Sequence, residues 1–249
     1  MTQPQALLKA SLDAGRELLR TQASPGLASD VDTPFLPPRP PLAQVPIRSI
    51  GPSERDRVAS HLLALDAGDR YLRFGYAATD EQIRRYVTGL DFERDEIFGI
   101  YNRNIELIAM AHLAFSVDPQ YASCAEFGVS VLSQARGRGY GARLFDRAVM
   151  HARNQGVSML FIHALTENTT MLRIARNAGA VVERDGSESD AYLTLPPATL
   201  DTRMSELVEQ QFAEINYVFK TQAKRFRDFL AGVQEVRQGV REARHKSGL

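Results

Sequence analysis

The sequence predicts an α/β fold followed by a long helical extension. Three observations carry that reading. Strand and helix patterns alternate from about Val45 to Leu195. A glycine-rich turn, Arg136-Gly137-Arg138-Gly139-Tyr140-Gly141, joins a strand to an amphipathic helix. From Leu200 to about His245 no proline interrupts a near-helical apolar repeat. The expected division is 1–44, 45–197 and 198–249.

Bulk composition bounds the function. The chain of 249 residues is 44% hydrophobic and 24% charged, which permits a sizeable core. Lys+Arg and Asp+Glu balance at 30 each, which argues against a nucleic-acid binder. Cys124 is the single cysteine, so no intramolecular disulfide forms, and no activating neighbour marks it as a nucleophile. Lys9, Asp13, Arg16 and Glu17 break up the apolar residues near the start, unlike a signal peptide. No uncharged apolar run reaches the ~18 residues of a membrane helix. The expectation is a cytoplasmic protein with no membrane or nucleic-acid partner.

The elements follow in order. Residues Gln5 to Arg20 place Leu8, Leu12 and Leu19 on one side of a short amphipathic pattern. Pro34-Phe35-Leu36-Pro37-Pro38-Arg39-Pro40-Pro41 reads as an extended linker, since proline lacks a backbone donor. Val45–Ile50 is a strand. Ser53 opens a helix with Asp56 as its capping-box partner, burying Val58, Leu62 and Leu65. Thr79 and Gln82 form a better capping box before Ile83, Tyr86 and Val87. Glu96–Tyr101 and Glu106–Phe115 are strands joined at Asn102-Arg103-Asn104 as a hairpin. Ala125–Leu132 is a further strand. Gly139–Arg153 is a helix with Leu144, Phe145, Ala148, Val149 and Ala152 inward. Ser158–Leu165 is a strand buried on both faces. Asn168 caps a helix through Ala178, and Val181–Arg184 and Ala191–Leu195 complete the sheet. The extension is one long helix, or two with a break at Gly232. Its apolar stripe suits packing on a second copy through residues 200–245, or on the chain's own domain or N-terminal helix.

The glycine turn carries the strongest chemical signal. Glycines let the backbone take positive φ and approach a ligand closely. Successive N–H groups then converge on an anion at the positive end of a helix dipole. Arg136 and Arg138 add cationic character, so a phosphate or pyrophosphate is the natural guest. A turn that serves only to pack helix on sheet could use the same residues. The P-loop is excluded, because no Gly-Lys-Ser/Thr follows. The Rossmann fingerprint is excluded by the Gly-x-Gly-x-Gly spacing and the late position of the strand.

The segment resembles the cofactor motif of the GNAT superfamily of N-acetyltransferases, Gln/Arg-x-x-Gly-x-Gly/Ala, with Arg136, Gly139 and Gly141 at its fixed positions. The element order from Val45 to Leu195, and Asn168 opening a helix after the fifth strand, resemble that fold too. The resemblance implies a mixed, mostly antiparallel sheet flanked by helices, with its fourth and fifth strands splayed. It implies acetyl-CoA as cosubstrate and no metal. Pyrophosphate would sit on residues 136–141, including Gly137, Arg138 and Tyr140. Pantetheine would lie against the backbone of Val129 and Val131, with Asn168 on the far side.

Glu126 is the expected general base. An alkylamine arrives protonated and must lose a proton before it attacks a thioester. Glu126, Gly128 and Ser130 share one face of their strand, and Gly128 leaves room beside the carboxylate. Ala125-Glu126-Phe127 also resembles the position of the catalytic Glu in protein-lysine acetyltransferases. Many family members carry a Tyr seven residues after the Asn as general acid; here Ala175 stands there, with Tyr140 and Tyr192 as unassigned substitutes. His112 and His163 read as satisfied core histidines. Tyr71-Leu72-Arg73-Phe74 and Asn168-Thr169-Thr170-Met171-Leu172-Arg173-Ile174-Ala175-Arg176 resemble the bacterial protein-acetyltransferase branch. The expected acceptor is therefore a primary amine, a small molecule or a protein lysine. The rival expectation is a weakly catalytic acyl-CoA-binding module that signals through its C-terminal helix.

Overall fold

The structure is a computed structural model and describes residues 45–246. The amphipathic segment at Gln5–Arg20 and the proline-rich stretch at 34–41 lie outside the described residues.

Seven strands form one sheet in the order β1-β2-β3-β4-β5-β7-β6. They are β1 (Arg48–Ser49), β2 (Glu96–Tyr101), β3 (Leu107–Phe115), β4 (Cys124–Val131), β5 (Met159–Leu165), β6 (Val181–Asp185) and β7 (Glu188–Thr194). All neighbouring pairs are antiparallel except β4 and β5. The mixed, mostly antiparallel sheet is thus as expected. Helices α1 (Arg55–Leu63), α2 (Ala67–Phe74), α3 (Asp80–Thr88), α4 (Tyr140–Asn154), α5 (Thr169–Asn177) and α6 (Leu200–Lys246) accompany it.

The fourth and fifth strands do splay. β4 and β5 pair only over Cys124–Glu126 with Met159–Phe161. Beyond that point β4 continues to Val131 beside β3, and β5 continues to Leu165 beside β7. A sheet opened in this way leaves backbone groups without strand partners on both sides of the gap.

The helices cover opposite faces. Residues paired in register share a face. One face carries His112, Glu126, Gly128, Ser130, Phe161 and His163. There α1 reaches Ser130 through His61, and α3 reaches His112 through Tyr86. The other face carries Ala111, Phe127, Leu160 and Ile162, against which α4 packs; the rings of Phe127 and Phe145 meet edge-on at 5.0 Å. Leu144, Phe145, Ala148 and Ala152 are buried there.

Local signals explain most boundaries. Thr79 and Gln82 form the expected capping box, with both reciprocal hydrogen bonds present. Asn168 caps α5, its side chain accepting from the Met171 N–H at 3.1 Å. Asn102 Oδ1 accepts from the N–H groups of Asn104 and Glu106, which closes the β2–β3 hairpin. The expected strand at Val45–Ile50 shortens to Arg48–Ser49, beside which Ile50 still donates to the Ile97 carbonyl at 2.7 Å. Ser53 does not cap a helix. Pro52 fixes a 3-10 turn over Pro52–Glu54, and α1 starts at Arg55 with no side-chain cap. The helix α2 was not anticipated, although its signals stand in the sequence: Asp66 accepts from the Asp69 N–H, and Gly75 ends it at φ 77°.

The extension is a single helix with no break at Gly232. Its first half docks on the domain. Ala213 is buried, Arg48 pairs with Glu214 at 2.7 Å and lies over the Tyr217 ring, and Lys220 donates to the Tyr101 carbonyl. Among the described residues, no helix is long and apolar enough to cross a membrane.

Candidate active site

The glycine turn leaves β4 through a 3-10 turn at Ser133–Ala135. Gly137 and Gly139 take φ of 74° and 73°, the left-handed region that side chains avoid. Gly139 is the N-cap residue of α4, and no side chain caps that helix end. Its first-turn N–H groups are therefore open to an anion. A Cβ on Gly137 or Gly139 would meet nothing within 4 Å, so their role is conformational, with open space where a ligand would lie. Gly141 differs: a Cβ there would sit 3.4 Å from Ile174 Cδ1, so it lets α5 pack closely on α4.

The charged residues of the turn divide. Arg138 is exposed. The Arg136 guanidinium instead bonds Asp69, which is buried in α2. That link fastens the turn to the helix carrying Arg73. Tyr140, at the first position of α4, is half-buried.

The gap itself follows from strand arithmetic. The Leu132 N–H donates to the Ile108 carbonyl, and the Ser116 N–H donates to the Cys124 carbonyl. In an antiparallel pair the bonding residues alternate. Even-numbered residues of β4 therefore bond β3, and the backbone groups of Val129 and Val131 face the opening. Across it, the Leu195 N–H donates to the Ser158 carbonyl, so even-numbered residues of β5 bond β7. His163 and Leu165 then turn their backbone groups to the same opening. Asn168 lies just past β5, with its amide oxygen already used by the helix cap.

Glu126 stands where the strands part. Among the described residues its carboxylate accepts no hydrogen bond. Burial pushes its pKa up; the nearby Arg73 charge, then His163 and His112, oppose the rise. Arg73 lies over Gly128: a Cβ there would fall 2.6 Å from Arg73 Nη2. The room that Gly128 leaves is thus filled by a guanidinium of this chain. Arg73 donates to Tyr86 Oη at 3.1 Å, and Tyr86 Oη lies 2.7 Å from His112 Nδ1. His112 Nε2 lies 3.0 Å from Asp95. The carboxylate partner assigns the proton to Nε2, which leaves Nδ1 to accept from Tyr86. His112 is therefore the satisfied histidine that was expected.

Two further histidines flank Ser130 and Glu126. His61 Nδ1 is 2.8 Å from the Leu107 carbonyl, so it carries the proton, and Nε2 accepts from the Ser130 hydroxyl. Burial lowers the His61 pKa to about 4, with the Arg73 charge acting in the same direction against the Leu107 hydrogen bond. His163 is not a core histidine. It is half-exposed, and its Nδ1 lies 2.5 Å from Asp190 Oδ1, a bond that raises its pKa. His61 did not stand out in the sequence, because the helix signals around it read as packing alone, and Arg73 entered only within the Tyr71-Leu72-Arg73-Phe74 resemblance, without a place at the site.

Ala175 is 0% exposed, packed inside the core. A tyrosine could not occupy that place without displacing its neighbours. Tyr192 lies beside Asp190 on the Glu126 face; burial and the acidic residues Asp190 and Glu183 push its pKa to about 12. Cys124 is buried, and burial raises its thiol pKa, which suits a structural role. The described residues contain no group of three His, Cys, Asp or Glu side chains able to hold a metal ion.

A splayed α/β sheet with an uncapped, glycine-framed helix N-terminus at its gap is the arrangement of a GNAT-type fold. Residues 64–180, just under half of the chain, match the Acetyltransferase (GNAT) family. The open helix end and the free β4 backbone have the geometry to receive a pyrophosphate-bearing acyl donor. Among solved structures, the GNAT domain of S. lividans PAT is similar: 21% identity, covering 60% of this chain and 89% of that one, with a TM-score of 0.51. An acetyltransferase of the GNAT family from Streptococcus pneumoniae is 12% identical, covering 60% of this chain and 98% of that one, at a TM-score of 0.50. At such identities the likeness is one of fold.

Proposed function

We propose that this protein transfers the acetyl group of acetyl-CoA to a primary amine, with Glu126 as general base. The observation that carries the proposal is a half-buried carboxylate without a hydrogen-bond partner among the described residues, at the point where β4 and β5 part. The acceptor's ammonium gives its proton to Glu126. The neutral amine attacks the thioester carbonyl; as the C–S bond breaks the CoA thiolate leaves, and the surplus proton on the nitrogen passes through solvent to that thiolate, giving the amide and free CoA. A backbone N–H at the gap, in the stretch around Val131, steadies the charge that develops on the thioester oxygen. Residues 136–141 hold the pyrophosphate through their N–H groups, with Arg138 supplying charge. Arg136 contributes through its backbone, since its side chain bonds Asp69.

No acid is assigned to the departing thiolate. A thiol of pKa ~8.5 leaves without one. Protein lysine is the acceptor that the resemblance favours. The exposed stripe of α6 supports a homodimer, and the compartment we assign is the cytoplasm.

The second reading, a binding module without useful turnover, rests on Ala175, where the family acid is replaced by a buried alanine. One experiment separates the two. Acetyl-CoA consumption is followed with lysine peptides and small amines for wild type and Glu126→Gln, alongside calorimetric binding. The enzyme reading expects equal acetyl-CoA affinity and a rate loss of roughly 10²–10⁴-fold in the variant. Equal binding with no turnover in either protein would establish the module.

A further inference from the structure

The face that carries Glu126 continues past the gap onto β5, β7 and β6, and its side chains form three rungs. Phe161, Tyr192 and Val181 are in register; so are His163, Asp190 and Glu183, and then Leu165, Glu188 and Asp185. Glu183, Asp185 and Glu188 are exposed, and Asp190 is half-buried. Among the described residues neither Glu183 nor Asp185 has a cationic partner. His163 is the single basic residue of the three rungs, and it is held by Asp190 at 2.5 Å with Glu188 at 3.6 Å. Arg184 falls on the opposite face, because neighbouring residues of a strand alternate.

An apolar floor adjoins these acids. Tyr121, Cys124, Phe161 and Tyr192 form a small buried cluster of their own, separate from the main core. Phe161 is the register partner of Glu126. From Glu126 outward the surface therefore runs from an unpartnered carboxylate, along aromatic side walls, to a band of carboxylates at the sheet edge. Such a sequence of groups matches a primary amine on a flexible methylene stem, with further positive charge behind it.

We infer that the His163–Asp190–Glu183 and Glu188–Asp185 rungs are the acceptor-binding surface, and that they select a cationic acceptor: a lysine whose neighbours in its own chain are basic. The inference rests on the acetyl-transfer reading and adds the class of acceptor to it. The carboxylates raise the local concentration of a cationic chain and orient its lysine toward Glu126. Asp190 also fixes His163, so the acidic rung nearer to Glu126 is held in one geometry. An acidic or neutral chain gains nothing from this band, and an acidic one is repelled.

The test uses the full chain and two capped pentapeptides with a central lysine, one flanked by arginines and one by glutamates. With saturating acetyl-CoA, KM for the basic peptide should lie at least roughly tenfold below that for the acidic one at low salt. Added salt should erode the difference, as screening requires. In the double variant Glu183→Gln, Glu188→Gln the preference should collapse to within about twofold, whereas Arg184→Gln should keep it. Both glutamates are exposed, so the neutral isosteres should fold, and circular dichroism checks this. Equal KM values in wild type, or a preference that survives in the double variant, would overturn the inference. Calorimetric binding of the basic peptide to the CoA-bound protein decides the matter independently of turnover. Binding that weakens in the double variant supports the surface even if no peptide is acetylated, an outcome that would instead count against the acetyl-transfer reading. Binding that is absent, or indifferent to the two glutamates, rejects the surface.

Discussion

Glu126 and Arg73 form a matched pair without an intervening hydrogen bond. Burial alone would raise the carboxyl pKa further than it does, and the Arg73 guanidinium over Gly128 is the strongest opposing influence. The sign of its removal follows. Loss of the positive charge lets burial dominate, so the Glu126 pKa rises and the base form appears only at higher pH. In pH profiles of kcat/KM, the acidic limb of wild type should lie above the usual carboxylate range. Arg73→Met should move that limb upward again, while Arg73→Lys should hold it near its wild-type place. A limb that stays fixed in Arg73→Met would separate Arg73 from the base. Ala175 supports a second prediction at this scale. It is fully buried, so Ala175→Tyr should overpack the core by about 1–3 kcal/mol rather than install an acid. Urea denaturation gives the loss of stability, and unchanged stability would mean that the alanine site tolerates the ring.

At the scale of elements, the turn into α4 makes the sharpest claim. Gly139 holds φ at 73°, which a β-branched residue resists, yet no neighbour blocks its side chain. Gly139→Val should therefore leave the fold intact and weaken acetyl-CoA binding by at least roughly tenfold, as the helix-end N–H groups lose their convergence. Calorimetry checks this, and unchanged affinity would move the pyrophosphate elsewhere. Much of this geometry was legible in the sequence, because caps and glycine turns are local chemistry. The Thr79–Gln82 box, the Asn168 cap and the strand before the turn all stand where their residues indicate. Two elements were not read. The helix Ala67–Phe74 has its Asp66 cap and Gly75 stop in plain view, but only two turns of pattern lie between them. The start at Ser53 was misread because Pro52 imposes a 3-10 turn that a capping pattern does not reveal. The site was legible along one strand only. Glu126, Gly128 and Ser130 follow from alternation, whereas the Arg73 overlay, the Asp69–Arg136 link and the His163–Asp190 rung need the sheet order. Residues brought together by register between distant strands leave no local mark.

At the scale of the molecule, α6 is attached through a buried polar centre and leaves an apolar stripe outside. Glu206 lies 3.0 Å from Arg147, 2.6 Å from His151 and 2.5 Å from Asn154. Burial opposes its ionisation, but hydrogen bonds from His151 and Asn154 and the Arg147 charge bring the pKa to about 2. A carboxylate with a depressed folded pKa adds stability that is present above its unfolded value and lost as pH falls through the folded one. The window here runs from ~4.3, the ordinary Glu value, down to about 2. Glu206→Gln leaves the Arg147 charge buried and should cost about 3 kcal/mol at pH ~7. The gap to wild type should narrow as pH falls through that window, as urea titrations at several pH values would show; a constant gap would exclude the ion pair as its source. The other side of the helix carries Met204, Leu207, Val208, Ile215 and Val218, each more than half exposed. They lie opposite the docked Glu206, Ala213 and Tyr217, so the domain that holds the helix cannot also cover them. The stripe is almost free of charge and is the same on every copy, which suits a two-fold pairing of like surfaces. Light scattering on the full chain should therefore give a dimer. Leu207→Lys with Ile215→Lys should give a monomer of unchanged circular dichroism, since neither side chain supports the fold of its own chain. A wild-type monomer, or a dimer indifferent to both lysines, would rule out pairing through this face.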